Sequence, residues 1–110
     1  MNIVLHHLGV VAADPDRTID FYARLFDATT ARMAGHTVVA AGSVRIAVVP
    51  RRDTDPPTYA WGSHVAIQVS IEARESLLAR LGALGASYED VGGRLYTRDP
   101  DGLTIEVLFG

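Results

Sequence analysis

The chain has 110 residues and a formal charge of −3 from ten basic and thirteen acidic side chains. All ten cations are arginine and there is no cysteine, which excludes lysine Schiff-base and P-loop chemistry, disulfides, thiolate nucleophiles and cysteine-bound zinc or iron–sulfur clusters. The acidic balance carries no nucleic-acid footprint and no apolar run reaches membrane length, so the reading is a single cytoplasmic domain over residues 1–110 with a small-molecule partner, neither nucleic acid nor membrane.

The first predicted strand covers residues 7–11, His7-Leu8-Gly9-Val10-Val11. Leu8 and Val10 share one face, and His7, Gly9 and Val11 the other. Asp14 then offers an N-cap acceptor and Pro15 a first helical residue. Ile19, Tyr22, Leu25 and Phe26 recur at helical spacing and predict one buried stripe. Three short β-like runs follow at about residues 29–33, 37–41 and 44–49, punctuated by Gly35 and Gly42. Residues 51–60, with Pro56-Pro57, read as a linker between a first module of about 1–50 and a second of about 61–110.

The second module repeats the order of the first. His64-Val65-Ala66-Ile67-Gln68-Val69 predicts a strand with Val65, Ile67 and Val69 on one face and His64 and Ala66 on the other. Leu77, Leu78, Leu81 and Leu84 predict the second helix, with Gly85 as its C′ residue. Strands are expected at about 87–90, 94–98 and 103–109, the last two joined by an Asp99-Pro100-Asp101-Gly102 turn. The fold class expected is α+β, two tandem βαβββ modules.

The repeat places His7 and His64 at equivalent positions away from the helices. It also makes Ala47 equivalent to Glu106, the lone carboxylate of an apolar strand. Two imidazoles and a carboxylate are an open nitrogen–oxygen ligand set, suited to one divalent ion (Fe, Mn, Ni, Zn or Mg). Taken singly, each has a plainer reading: His7 as a satisfied core or edge residue, Glu106 as the ion-pair partner of an arginine. His6 reads as a surface residue and His36 as exposed in a turn. Tyr59, Trp61, Tyr96 and Arg45 are the candidate substrate-binding residues, with Arg94 and Arg98 as further anion-binding forks. No catalytic base stands out.

The motifs His7-Leu-Gly-Val-Val with Asp14 and Ile19-Asp-Phe21-Tyr22, then His64-Val-Ala-Ile, then Tyr96-Thr-Arg-Asp99-Pro100-Asp101-Gly102-Leu-Thr-Ile-Glu106, resemble the vicinal oxygen chelate superfamily of glyoxalases, extradiol dioxygenases, fosfomycin-resistance enzymes and bleomycin-resistance proteins. The resemblance implies curved sheets forming a metal cup, with ligands at His7, His64 and Glu106. It implies a metal-dependent lyase, isomerase or dioxygenase in which the metal chelates vicinal substrate oxygens and stabilises an oxyanion or enolate. It also implies a homodimer, in which the site is shared between chains in many members. Ala47 stands where glyoxalases carry a fourth ligand, and Gly9 where fosfomycin-resistance enzymes carry threonine. The alternative is a sequestration protein that binds a natural product or antibiotic.

Overall fold

The computed structural model describes residues 1–33 and 35–110. The chain divides into two compact units, residues 1–55 and 56–110. Each is a four-stranded sheet with one helix, so the architecture is the α+β pair of βαβββ modules expected.

In the first unit β1 (Leu8–Ala12) is followed by α1 (Pro15–Leu25), β2 (Thr29–Met33), β3 (His36–Ala41) and β4 (Val44–Pro50). The sheet order is β1-β4-β3-β2, with β1 parallel to β4 and the other pairs antiparallel. The side chain of Asp14 caps α1 by accepting from the Arg17 N–H at 3.2 Å, and Pro15 occupies the first turn, where its missing donor costs nothing. The buried stripe of α1 is Thr18, Phe21, Tyr22 and Leu25. Tyr22 and Leu25 lie in it as expected, whereas Ile19 and Phe26 are half-buried. The stripe is centred between Phe21 and Tyr22, which turns Ile19 toward its margin. Tyr22 packs edge-on to Phe21 and stacked on Phe26, over Val10, Ala12, Val39, Ile46 and Val48 of the buried core.

The second unit repeats this with β5 (His64–Val69), α2 (Arg74–Leu84), β6 (Tyr88–Val91), β7 (Arg94–Arg98) and β8 (Thr104–Phe109), in the order β5-β8-β7-β6. A short 3-10 turn, Ile71–Ala73, precedes α2 and was not foreseen from the periodicity. Leu77 and Leu81 form the buried centre of α2, with Leu78 and Leu84 at its margins. Gly85 ends the helix in the left-handed conformation (φ 66°), its N–H turned back to the carbonyls of Gly82 and Leu81. Arg74 closes the other end against the sheet, 5.7 Å from the Phe109 ring centroid and ion-paired to Asp90.

Strand registers show that the two units are built alike. Gly9 faces Ala47 across β1–β4, and Ala66 faces Glu106 across β5–β8. His7 and His64 each stand two residues before the strand-β1 and strand-β5 members of these pairs. The first strand nonetheless opens one residue later than expected, because the ladder with β4 begins at Leu8 and Ile46, leaving His7 just ahead of it.

Candidate functional site

The face of the second sheet turned away from the α2 core is fixed by pleat and register. Along β5 exposure alternates strictly: His64, Ala66 and Gln68 are exposed, and Val65, Ile67 and Val69 are half-buried. Glu106 faces Ala66 on one side and Tyr96 on the other. Thr104 faces His64 and Arg98. His64, Thr104, Glu106, Tyr96, Arg94 and Arg98 are therefore neighbours on one sheet face.

A cavity of about 310 Å³ opens over this face. Its walls include Tyr59, Trp61, His64, Arg98, Thr104 and Glu106. Trp61 stands at its lip and is 96% exposed. A second cavity of about 480 Å³, walled by Tyr88, Glu89 and Tyr96, shares Arg98 and Thr104 with the first.

The ring of His64 is oriented locally. Its Nδ1 lies 2.9 Å from the carbonyl oxygen of Gly62. A carbonyl only accepts, so Nδ1 carries the proton and neutral His64 keeps its lone pair on Nε2. Gly62 has φ 91°, a conformation that disfavours a side chain, and this bend brings its carbonyl back to the ring. Such a carbonyl–imidazole contact is the usual support behind a metal-binding histidine.

Glu106 has a side chain only 12% exposed. Arg94, two residues from Tyr96 on the same face, donates to its Oε2 at 3.2 Å. This ion pair is the plainer reading of Glu106, and it is present. It uses one carboxylate oxygen; Oε1 has no hydrogen-bond partner among the described residues. The donor set of Nε2 and Oε1 fits a borderline-to-hard divalent ion.

The turn before β8 is held by Asp99. This side chain is 4% exposed, and its Oδ1 accepts from the N–H groups of Asp101 (2.9 Å) and Leu103 (3.0 Å). The Asp99 N–H donates to the Leu103 carbonyl at 2.9 Å, which clamps the turn and sets Arg98 and Thr104 at its two ends.

Of the expected site residues, His64, Glu106, Tyr59 and Trp61 meet at one cavity, and Tyr96 lines the neighbouring one. His7 and Arg45 belong to the first unit, where both are exposed. The Nδ1 atoms of His6 and His7 are 2.8 Å apart, a contact that requires one ring to donate and the other to accept. His36 is exposed at the start of β3. Among the described residues no group of three or more histidine, aspartate or glutamate side chains is arranged to hold a metal ion. Sequence reasoning passed over Gly62 and Thr104. Only the positive-φ tendency of glycine beside His64 offered a signal for the first.

The fold matches known structures over its whole length. The fosfomycin resistance protein FosX from Mesorhizobium loti has a TM-score of 0.79 at 19% identity, covering 100% of this chain and 94% of that one. The oxidase ChaP-H2 has a TM-score of 0.81 at 21% identity, covering 100% and 95%. A mutant of FosX from Listeria monocytogenes, in complex with Mn(II) and 1S,2S-dihydroxypropylphosphonic acid, has a TM-score of 0.77 at 22% identity, covering 100% and 92%. No curated protein sequence matches the chain. The sequence profile of the Glyoxalase/Bleomycin resistance protein/Dioxygenase superfamily matches residues 4–107, and the chain belongs to that superfamily.

Proposed function

We propose that the protein is a small enzyme that acts on a low-molecular-weight substrate with the help of one divalent ion, held by His64, Glu106 and His7. The observation that carries this reading is the state of the two donors in the second unit: His64 presents Nε2 and Glu106 keeps Oε1 unengaged at the wall of one cavity. The Mn(II) in the similar FosX structure supports a divalent ion of this kind. Bound there, the ion supplies electrophilic stabilisation of negative charge developing on two adjacent substrate oxygens. His64 is kept in its ligand tautomer by the Gly62 carbonyl, and the Glu106 carboxylate is oriented by Arg94. Trp61 and Tyr59 cover the substrate and exclude water from one side.

His7 is proposed to come from a second copy of the chain, in a homodimer. The support is the resemblance, in which dimers of this kind recur, together with the equivalence of His7 and His64 in the repeat.

A second reading, sequestration of an aromatic natural product without turnover, is favoured by one observation: an indole left 96% exposed at a cavity lip. Metal stoichiometry separates the two. Purified protein equilibrated in turn with Mn(II), Zn(II), Ni(II), Fe(II) and Mg(II) is expected to hold about one ion per chain, and His64→Ala or Glu106→Gln to weaken binding by about tenfold or more. No stoichiometric ion, or equal occupancy in the variants, contradicts the enzyme reading.

A further inference from the structure

We infer that Arg94 is a movable counter-ion with two seats: it holds Glu106 while no ion is bound, and passes to Glu89 when a divalent cation takes that carboxylate. The hand-over rests on the metal reading above; the second seat does not.

Glu106 on β8 and Glu89 on β6 both stand across from Tyr96, one on each side of β7. Arg94 is two residues from Tyr96 and shares its face, so its side chain rises between two carboxylates. Diagonal neighbours of this kind are within reach of a long side chain. The one engaged is Glu106, at 3.2 Å. Glu89 is exposed, and its side chain has no ion pair or hydrogen bond among the described residues. Its neighbour Asp90 alternates to the opposite face, where it takes Arg74 at 2.6 Å and the Gly93 N–H at 2.9 Å. Gly92 and Gly93, both at positive φ, and that N–H bond set the backbone just before Arg94, so a change of seat needs only side-chain rotation.

Burial decides between the seats. The Glu106 side chain is 12% exposed, whereas Glu89 is exposed. A largely buried carboxylate gains more from a cation than one in water, so Glu106 is the first seat. Once a dication shares that carboxylate, the Arg94 guanidinium is a like charge beside it, and the same pairing turns unfavourable. Arg94 is held there through one N–H and its side chain is 54% exposed, so it can leave without breaking other bonds. Glu89 then receives the charge. Arg98, on the other side of Tyr96, lines the second cavity with Glu89 but is not ion-paired to it, which leaves the seat open. Arg94 thus keeps Glu106 neutralised and oriented before the ion arrives and gives way when it does.

Two measurements on the whole chain test this, the first without an ion. Arginine Nε–Hε NMR spectra of chelator-treated protein report on Arg94, its signal identified by its loss in Arg94→Met. In Glu106→Gln, which removes the first seat's charge, the Arg94 signal is expected to shift yet stay protected from exchange, and to lose protection when Glu89→Gln is added. The second measurement is Zn(II) affinity by competition with a chromophoric chelator in 0.15 M salt, where distant charges are screened. Arg94→Met is expected to tighten Zn(II) about fivefold and Glu89→Gln to weaken it about threefold, the range of exposed ion pairs. In the Arg94→Met background, Glu89→Gln should change almost nothing, because Glu89 acts through Arg94. Weaker Zn(II) binding in Arg94→Met, or a Glu89→Gln effect of equal size in both backgrounds, overturns the hand-over. An Arg94 signal indifferent to Glu89 in the Glu106→Gln protein overturns the second seat, whether or not Zn(II) binds. If the wild type binds no Zn(II) and the Arg94 signal still follows Glu89, the metal reading and the hand-over fall and the second seat stands.

Discussion

Arg94 donates to Oε2 of Glu106 at 3.2 Å, from a side chain 54% exposed to one only 12% exposed. The burial of the pair is thus lopsided: the guanidinium is in water and the carboxylate is largely out of it. Leaving that carboxylate unpaired costs more than the solvent-screened pair returns. Arg94→Met is expected to lower stability by about 1 kcal/mol in chelator-treated protein. Urea denaturation measures it, and saturating Zn(II) should recover part of the loss by giving Glu106 another cation. An unchanged midpoint in chelator would show that Arg94 contributes nothing to Glu106.

Asp99 is expected to be the most sensitive residue of the β7–β8 turn. Its buried Oδ1 takes two backbone N–H groups, and Asp99→Ala leaves both without a partner. A loss of about 2–3 kcal/mol is expected by denaturant unfolding, with Asp99→Asn, which keeps an acceptor oxygen, costing clearly less. Equal losses for the two variants would mean that the backbone clamp is not the cause.

The repeat was the most legible part of the fold, because strand alternation and helix spacing recur in the same order in both halves. His64 and Ala66 could be placed on one face from a period of two, and the β5–β8 register sets Glu106 beside them there. The Arg94–Glu106 pair was only one of several arginine partners conceivable from sequence. It depends on the β7–β8 register, which is set by the length and clamp of the Asp99–Gly102 turn. The separation of Tyr96 from Trp61 into neighbouring cavities was equally hidden. Both are aromatic residues near the same face, and what divides them is where Arg98 and Thr104 stand.

Near the end of the first unit, Asp55 is tied to Arg52 by side-chain bonds at 3.1 and 3.3 Å and by the Arg52 N–H at 2.7 Å. The Arg52 guanidinium and then its backbone N–H hold the Asp55 carboxyl below the ordinary carboxylate value. An acid with a lowered folded pKa adds its stability above its unfolded pKa, near 3.9, and loses it as pH falls through the lower folded value. Carbon-detected NMR titration should find Asp55 titrating below that value and moving up in Arg52→Ala. Unchanged titration in the variant would contradict the assignment.

If the ion site is shared between two chains, defective chains can complement one another. His7→Ala and Glu106→Gln variants, each deficient alone, should regain binding when unfolded together and refolded. Random pairing makes half of the dimers mixed, each with one intact site of two, so about a quarter of wild-type metal content is expected. No recovery would place all three ligands in one chain or leave His7 out of the site.

The central claim is that His7, His64 and Glu106 hold one divalent ion. The most direct measurement is an anomalous difference map at the zinc edge from crystals grown with Zn(II). The expected result is one peak per chain, about 2.1 Å from Nε2 of His64, a carboxylate oxygen of Glu106 and a nitrogen of His7. A strong peak elsewhere, or a well-ordered Arg94–Glu106 pair with no peak beside it, would contradict the account.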